Sequence, residues 1–204
     1  MYTYKLIFIG DSGVGKTSII KRIVGEEITR KSAPTVGIEY VNKVFEMKNG
    51  GKLMVQIWDT AGQEKYKAIC SHHYKDAIGA IIVFDLTRYK TWENCKAWLQ
   101  EFKDQAPEGA KTVMIGNKYD IIEKEGETKR VPKAEIDKWC KENDIGYFEC
   151  SAVKNRNIYD AMEHLLEEIY ITVNSFNPTT SNGFSLHTSQ LADKNKNDSS
   201  MCCT

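Results

Sequence analysis

Apolar positions along the chain fall into two rhythms, short unbroken runs and stripes at helical spacing, and the two alternate. Tyr4 to Ile9 is a run of strand length, and 16–24, with Ile19, Ile20 and Ile23 on one face, predict a helix stopped by Gly25. Residues 26–38 show no period and contain Pro34 and Gly37, which predicts a surface loop. Tyr40 to Met47 and Lys52 to Trp58 read as two strands around Asn49-Gly50-Gly51, a hairpin signal. Gly79 to Asp85 is apolar from Ala80 through Phe84, as in a strand covered on both faces. Trp92, Cys95, Leu99 and Phe102 predict a helix over 91–104, followed by a buried strand over 112–116 and a polar loop over 121–130. Pro132 suits the first turn of a helix to about 142. Tyr147 to Cys150 predicts a last strand, and Ile158, Met162, Leu165 and Ile169 line one face of a final helix.

Such alternation predicts an α/β fold: parallel strands with helices on both faces, and one antiparallel hairpin strand at the edge. Ligands in these sheets bind beyond the carboxyl ends of the strands, so the loops there are where chemistry is sought. From about Asn174 the period disappears into Ser, Thr and Asn, and the charged residues are Asp193, Lys194, Lys196 and Asp198. The expected organisation is one domain over 1–173 and a flexible tail over 174–204.

Composition narrows the function. With 28 basic and 28 acidic residues the net charge is zero, which leaves no electrostatic footprint for nucleic acid. No apolar stretch approaches the roughly 20 residues of a membrane span. Met1 to Lys5 is expected to lead into a strand rather than to be a signal peptide. Cys70, Cys95, Cys140 and Cys150 are scattered without metal spacing and read as reduced cytosolic thiols, whereas Cys202 and Cys203 are adjacent near the terminus.

The loops then carry the chemistry. Gly10-Asp11-Ser12-Gly13-Val14-Gly15-Lys16-Thr17 is the phosphate-loop pattern G-x-x-x-x-G-K-S/T, standing between a strand and a helix. Its glycines let successive amides of Ser12, Gly13, Val14, Gly15 and the helix start, Ser18 included, turn toward a polyphosphate. Lys16 adds charge for the terminal phosphates, and Thr17 offers a hydroxyl to magnesium. After the third strand, Asp59 can hold magnesium through water, Gly62 allows an amide close to a terminal phosphate, and Gln63 can orient a water. In Asn117-Lys118-Tyr119-Asp120 the aspartate matches the two donors on the guanine edge, and the Lys118 stem can cover the base. Ser151-Ala152 would supply an amide to the base oxygen, and Thr35 a second hydroxyl to magnesium. His72 and His73, adjacent in sequence, do not face one metal site on a helix.

These segments, in this order and spacing, resemble the Ras superfamily of small GTPases. Ile57 to Glu64, Thr35 to Tyr40 and the closing cysteine pair are similar to its Rab branch, and Val36 to Tyr40 with Thr91 to Asn94 resemble the recycling-endosome group. The resemblance covers about residues 4–173 plus the terminus. It implies a P-loop NTPase fold with a six-stranded, mostly parallel mixed sheet. It implies GTP and GDP as substrate and product, Mg2+ held by Thr17, Thr35 and Asp59, and catalysis by Gln63, Lys16, Thr35 and Gly62. It further implies guanine recognition by Asn117, Lys118, Asp120, Ser151 and Ala152, with prenylation at Cys202 and Cys203. Implied partners are an exchange factor, a GTPase-activating protein, a dissociation inhibitor or escort protein, and effectors. The protein is expected as a monomer on the cytoplasmic face of an endomembrane, with a soluble cytosolic pool, regulating vesicle trafficking.

Departures accompany the likeness. Ile28 stands where relatives carry an aromatic against the guanine edge, Val153 replaces a lysine, and Tyr40, Trp58 and His73 stand for an aromatic trio that meets effectors. Arg30 is a lone loop arginine rather than an arginine finger. Two rivals follow: a hydrolysis-poor guanine-nucleotide scaffold controlled by exchange alone, and a P-loop kinase, which Asn117 to Asp120 argue against.

Overall fold

The computed structural model describes residues 3–28, 38–48, 50–60, 73–125 and 131–176. Among them are six strands, β1 (Thr3–Ile9), β2 (Ile38–Glu46), β3 (Lys52–Thr60), β4 (Gly79–Asp85), β5 (Lys111–Asn117) and β6 (Gly146–Glu149). Five helices accompany them: α1 (Lys16–Val24), α2 (Tyr89–Gln105), α3 (Tyr119–Glu125), α4 (Lys133–Glu142) and α5 (Ile158–Phe176). The strands form one mixed sheet in the order β2-β3-β1-β4-β5-β6. Every pair is parallel except β2 with β3, whose register runs from Ile38↔Thr60 to Glu46↔Lys52. This is the mostly parallel mixed sheet, with its antiparallel strand at one edge, that the alternation of strands and helices predicts.

Alternate side chains of each central strand enter opposite cores. On one face, Leu6, Phe8, Val55, Ile57, Ile81, Val83, Val113 and Ile115 pack under Ile19, Ile20 and Ile23 of α1 and Met162, Leu165 and Ile169 of α5. On the other, Ile7, Ile9, Ala80, Ile82, Phe84 and Met114 meet Trp92, Cys95, Leu99 and Phe102 of α2 and Ile136 and Cys140 of α4. All seven residues of β4 are buried, as its unbroken apolar run requires.

Element ends follow local chemistry. Helix α1 occupies 16–24 as expected and stops at Gly25, whose left-handed φ of 86° lets the amides of Gly25 and Glu26 bond Arg22 and Lys21. Helix α2 begins two residues earlier than the stripe predicts, because Thr91 Oγ1 accepts from the Asp85 amide (3.0 Å) and donates to the Arg88 carbonyl (2.7 Å). The polar loop expected over 121–130 is corrected: 119–125 is helical, anchored by Tyr119 N to Cys150 O (3.0 Å) and by buried Ile122. Seven residues offer too few apolar positions for a period to register. The loop expected over 26–38 loses its last residue to β2, and α5 runs to Phe176, past the point where apolar periodicity fades.

Candidate nucleotide site

The carboxyl ends of β1, β3, β4 and β5 lie side by side at one end of the sheet, where ligands bind in folds of this kind. The loop after β1 turns at Gly10 (φ 137°), Gly13 (φ 73°) and Gly15 (φ 102°), all in the left-handed half of backbone space. A Cβ on Gly10 would drive into the Val83 carbonyl, and one on Gly15 into Nδ2 of Asn117. Neither position has room for a side chain. Gly15 is also the N-cap of α1 and brings no capping side chain, so the first-turn amides keep their affinity for an anion.

Lys16, at 5% exposure, sends its ammonium back along the loop to the carbonyls of Gly10 (2.8 Å) and Asp11 (3.0 Å). Ser12 and Gly13 are exposed, Val14 is buried, and Ser18 is half-buried in the first turn of α1. Thr17 Oγ1 donates to Asp59 Oδ2 at 2.6 Å, so the hydroxyl and carboxylate expected at a metal ion adjoin. Asp59 reaches this place because Phe8 and Asp59 are register partners in the parallel β1–β3 pair, and Thr60 Oγ1 donates to the Phe8 carbonyl (2.6 Å). The donors are all oxygens, the chemistry of a hard divalent cation such as magnesium. Among the described residues no three His, Cys, Asp or Glu side chains cluster as a metal site, so such an ion would draw further ligands from phosphate and water.

Asn117 ties the two ends of the site together. Its Nδ2 donates to the Val14 carbonyl (2.8 Å), and its Oδ1 accepts from the Ala152 amide (3.1 Å). Ser151 Oγ donates to Asp120 Oδ1 (2.7 Å) and accepts from the Lys154 amide (3.0 Å), fixing the carboxylate expected at the base edge. Lys118 takes a left-handed φ of 69° and pairs through Nζ with Asp85 Oδ2 at 2.8 Å. The segment 151–156 closes on itself through a Ser151↔Arg156 bridge, and Arg22 of α1 donates to the carbonyls of Ala152 (2.8 Å) and Val153 (3.1 Å). Val153 is 64% exposed, and Ile28 packs, partly buried, on the α1-side core.

Asp85 escapes the motif reading. Burial opposes its ionisation, but hydrogen bonds from Lys118 and Thr87 outweigh that, and its carboxyl stays below the ordinary value of 3.8. Asp11 is missed as well: its carboxylate accepts from Asn94 Nδ2 (2.7 Å) and Trp98 Nε1 (2.9 Å), tying the phosphate loop to α2. The signal for Asp85 is an acid ending a wholly apolar strand beside the phosphate loop; for Asp11 a single sequence holds none.

Tyr40 stacks on Trp58 with ring centroids 5.0 Å apart, and His73 meets the Trp58 ring at a tilt with centroids 4.9 Å apart. The Lys5 ammonium lies 4.5 Å from the Trp58 ring centroid. Of the other residues singled out by sequence, Thr35, Gly62, Gln63, Cys202 and Cys203 lie outside the described residues, as do Arg30 and His72. Within the described residues, then, the arrangement joins an amide-lined anion cradle, an oxygen pair for a cation and a carboxylate held beside a backbone amide.

That combination agrees with the comparison of the whole sequence: residues 5–171 match the model of the Ras family. The chain therefore belongs to the Ras family of small GTPases, P-loop proteins that as a family bind guanine nucleotide and hydrolyse GTP.

Proposed function

We propose that the chain is a Rab-type GTPase that recruits effectors to the cytoplasmic face of an endomembrane while loaded with GTP. The observation that carries the nucleotide assignment is Asn117, whose amide bonds the phosphate loop at Val14 and the base-side amide of Ala152 at once. The Rab assignment is supported by Ile57 to Glu64, by Thr35 to Tyr40 and by the pair Cys202 and Cys203.

In this reading the amides of Ser12, Gly13, Val14, Gly15, Lys16, Thr17 and Ser18 bind the phosphates, and Lys16 swings its charge onto the β and γ oxygens. Thr17 and Thr35, with Asp59 through water, would hold Mg2+, which would supply charge neutralisation to the phosphates. Gly62 donates its amide to the γ phosphate, and Gln63 orients the attacking water, so catalysis is positioning and electrostatics. Asp120 accepts from the two donors of the guanine edge, Ala152 donates to its oxygen, and Lys118 and Asn117 brace the base. Thr35 engages the ion and Gly62 the γ phosphate only in the triphosphate state, which makes the flanking segments a switch. Cys202 and Cys203 carry two lipid chains, and a second chain makes anchoring durable where the tail lacks a basic cluster.

A scaffold that exchanges nucleotide without hydrolysing it is the second reading, favoured by exposed Val153 and by an aliphatic Ile28 at the base end. Single-turnover hydrolysis decides between them. Loss of γ phosphate that Gln63→Leu abolishes supports the switch; retention over hours with activators from a cell extract supports the scaffold.

A further inference from the structure

We propose that Asp85 and Arg88 are positioning residues that couple the base end of the nucleotide site to its phosphate loop, an inference resting on the guanine-nucleotide reading above. Asp85 ends β4, between the strand that feeds the phosphate loop and the strand that feeds Asn117, its register partner. Its side chain is 2% exposed and its two oxygens divide the work. Oδ1 accepts from the Thr87 amide (2.9 Å) and hydroxyl (2.7 Å), which fixes the rotamer. Oδ2 accepts from both Lys118 Nζ and Arg88 Nε, each at 2.8 Å.

A single carboxylate oxygen is therefore shared by two cations that reach into different halves of the site. Lys118 belongs to the base-reading segment and sits in a left-handed backbone conformation disfavoured for a residue with a Cβ, so its pose needs an outside hold. Arg88 extends the other way, and its second guanidinium nitrogen donates to the Ser12 carbonyl (3.3 Å). A shift at Ser12 reaches Lys118 through one guanidinium and one buried oxygen. An ordinary surface ion pair has no such reach, because screened exposed charges adjust independently. Here the shared anion is buried, so weakening one cation's hold alters the charge felt by the other.

The consequence is non-additivity in nucleotide retention. Protein loaded with fluorescent GDP and Mg2+ is compared as wild type, Arg88→Ala, Lys118→Met and the double variant. Both substituted side chains are partly exposed, at 46% and 31%, and Lys118→Met keeps the stem that covers the base. Each single change is expected to speed GDP release about tenfold, and the double variant no more than about thirtyfold, well short of the product. A purely structural role, each residue loosening its own end, gives a double variant at the product of the singles, and that result overturns the coupling. An Arg88→Ala protein that releases GDP at the wild-type rate also overturns it. Wild-type protein that retains no GDP overturns the nucleotide reading and this inference with it, whereas retention with multiplying variants overturns the coupling alone.

Discussion

At the scale of single residues the site depends on groups whose partners leave little freedom. Asp120 is held by Ser151, so its carboxylate meets a base in one orientation. Asp120→Asn replaces one acceptor oxygen with a donor, which opposes guanine's amine and suits xanthine's carbonyl. Competition binding should show GDP weakened by about 10² or more while xanthosine diphosphate gains. Asp85 gives a pH prediction. Its carboxyl is depressed below 3.8, so the stability it contributes is present above that value and lost as pH falls through the lower folded one. Lys118→Met removes one of the hydrogen bonds that hold the carboxyl down, and an acid titration followed by circular dichroism should then show unfolding beginning at higher pH than in wild type. The difference between Asp120 and Asp85 is one of legibility. Asp120 sits in a contiguous motif, while Asp85 meets Lys118 across the sheet and Ser12 only by way of Arg88, and no local spacing announces contacts assembled by strand order.

At the scale of elements, legibility follows length and burial. The phosphate-loop helix was readable to its end residues because Ile19, Ile20, Ile23 and Gly25 mark both face and stop, whereas α3 has too few turns to declare a period. Helix α2 carries a large share of the second core through Trp92, which is fully buried, 5.3 Å from Phe84 and 5.5 Å from Trp139 between ring centroids, and bonded to Glu135 Oε1 at 2.8 Å. Trp92→Ala should cost about 3–5 kcal/mol in urea unfolding of GDP-loaded protein. The thiols report the same packing. Burial pushes Cys140 and Cys150 up to about 12, and Cys95 of α2 well above its ordinary value. Iodoacetamide at neutral pH should therefore leave all three unmodified in folded protein, by peptide mass spectrometry, and Trp92→Ala should make Cys95 the first to react.

At the scale of the whole molecule, a chain with zero net charge and a sequence pI near 6.9 offers no general attraction to an anionic bilayer. Membrane residence in the proposed function then depends on lipid at Cys202 and Cys203. Cys202→Ser with Cys203→Ser should move the protein from the membrane pellet to the soluble fraction of its native cells, and a double variant that stays with the membranes would count against lipid anchoring. Sheet register supplies a different consequence. Among the described strands the one antiparallel pair, β2 with β3, ends at Ile38↔Thr60, so the chain enters β2 from residue 37 and leaves β3 toward residue 61 at a single rung. In the proposed function the residues that answer the γ phosphate, Thr35 and Gln63, lie just beyond the two partners of that one rung, so a protein bound at Ile38 and Thr60 stands at the root of both.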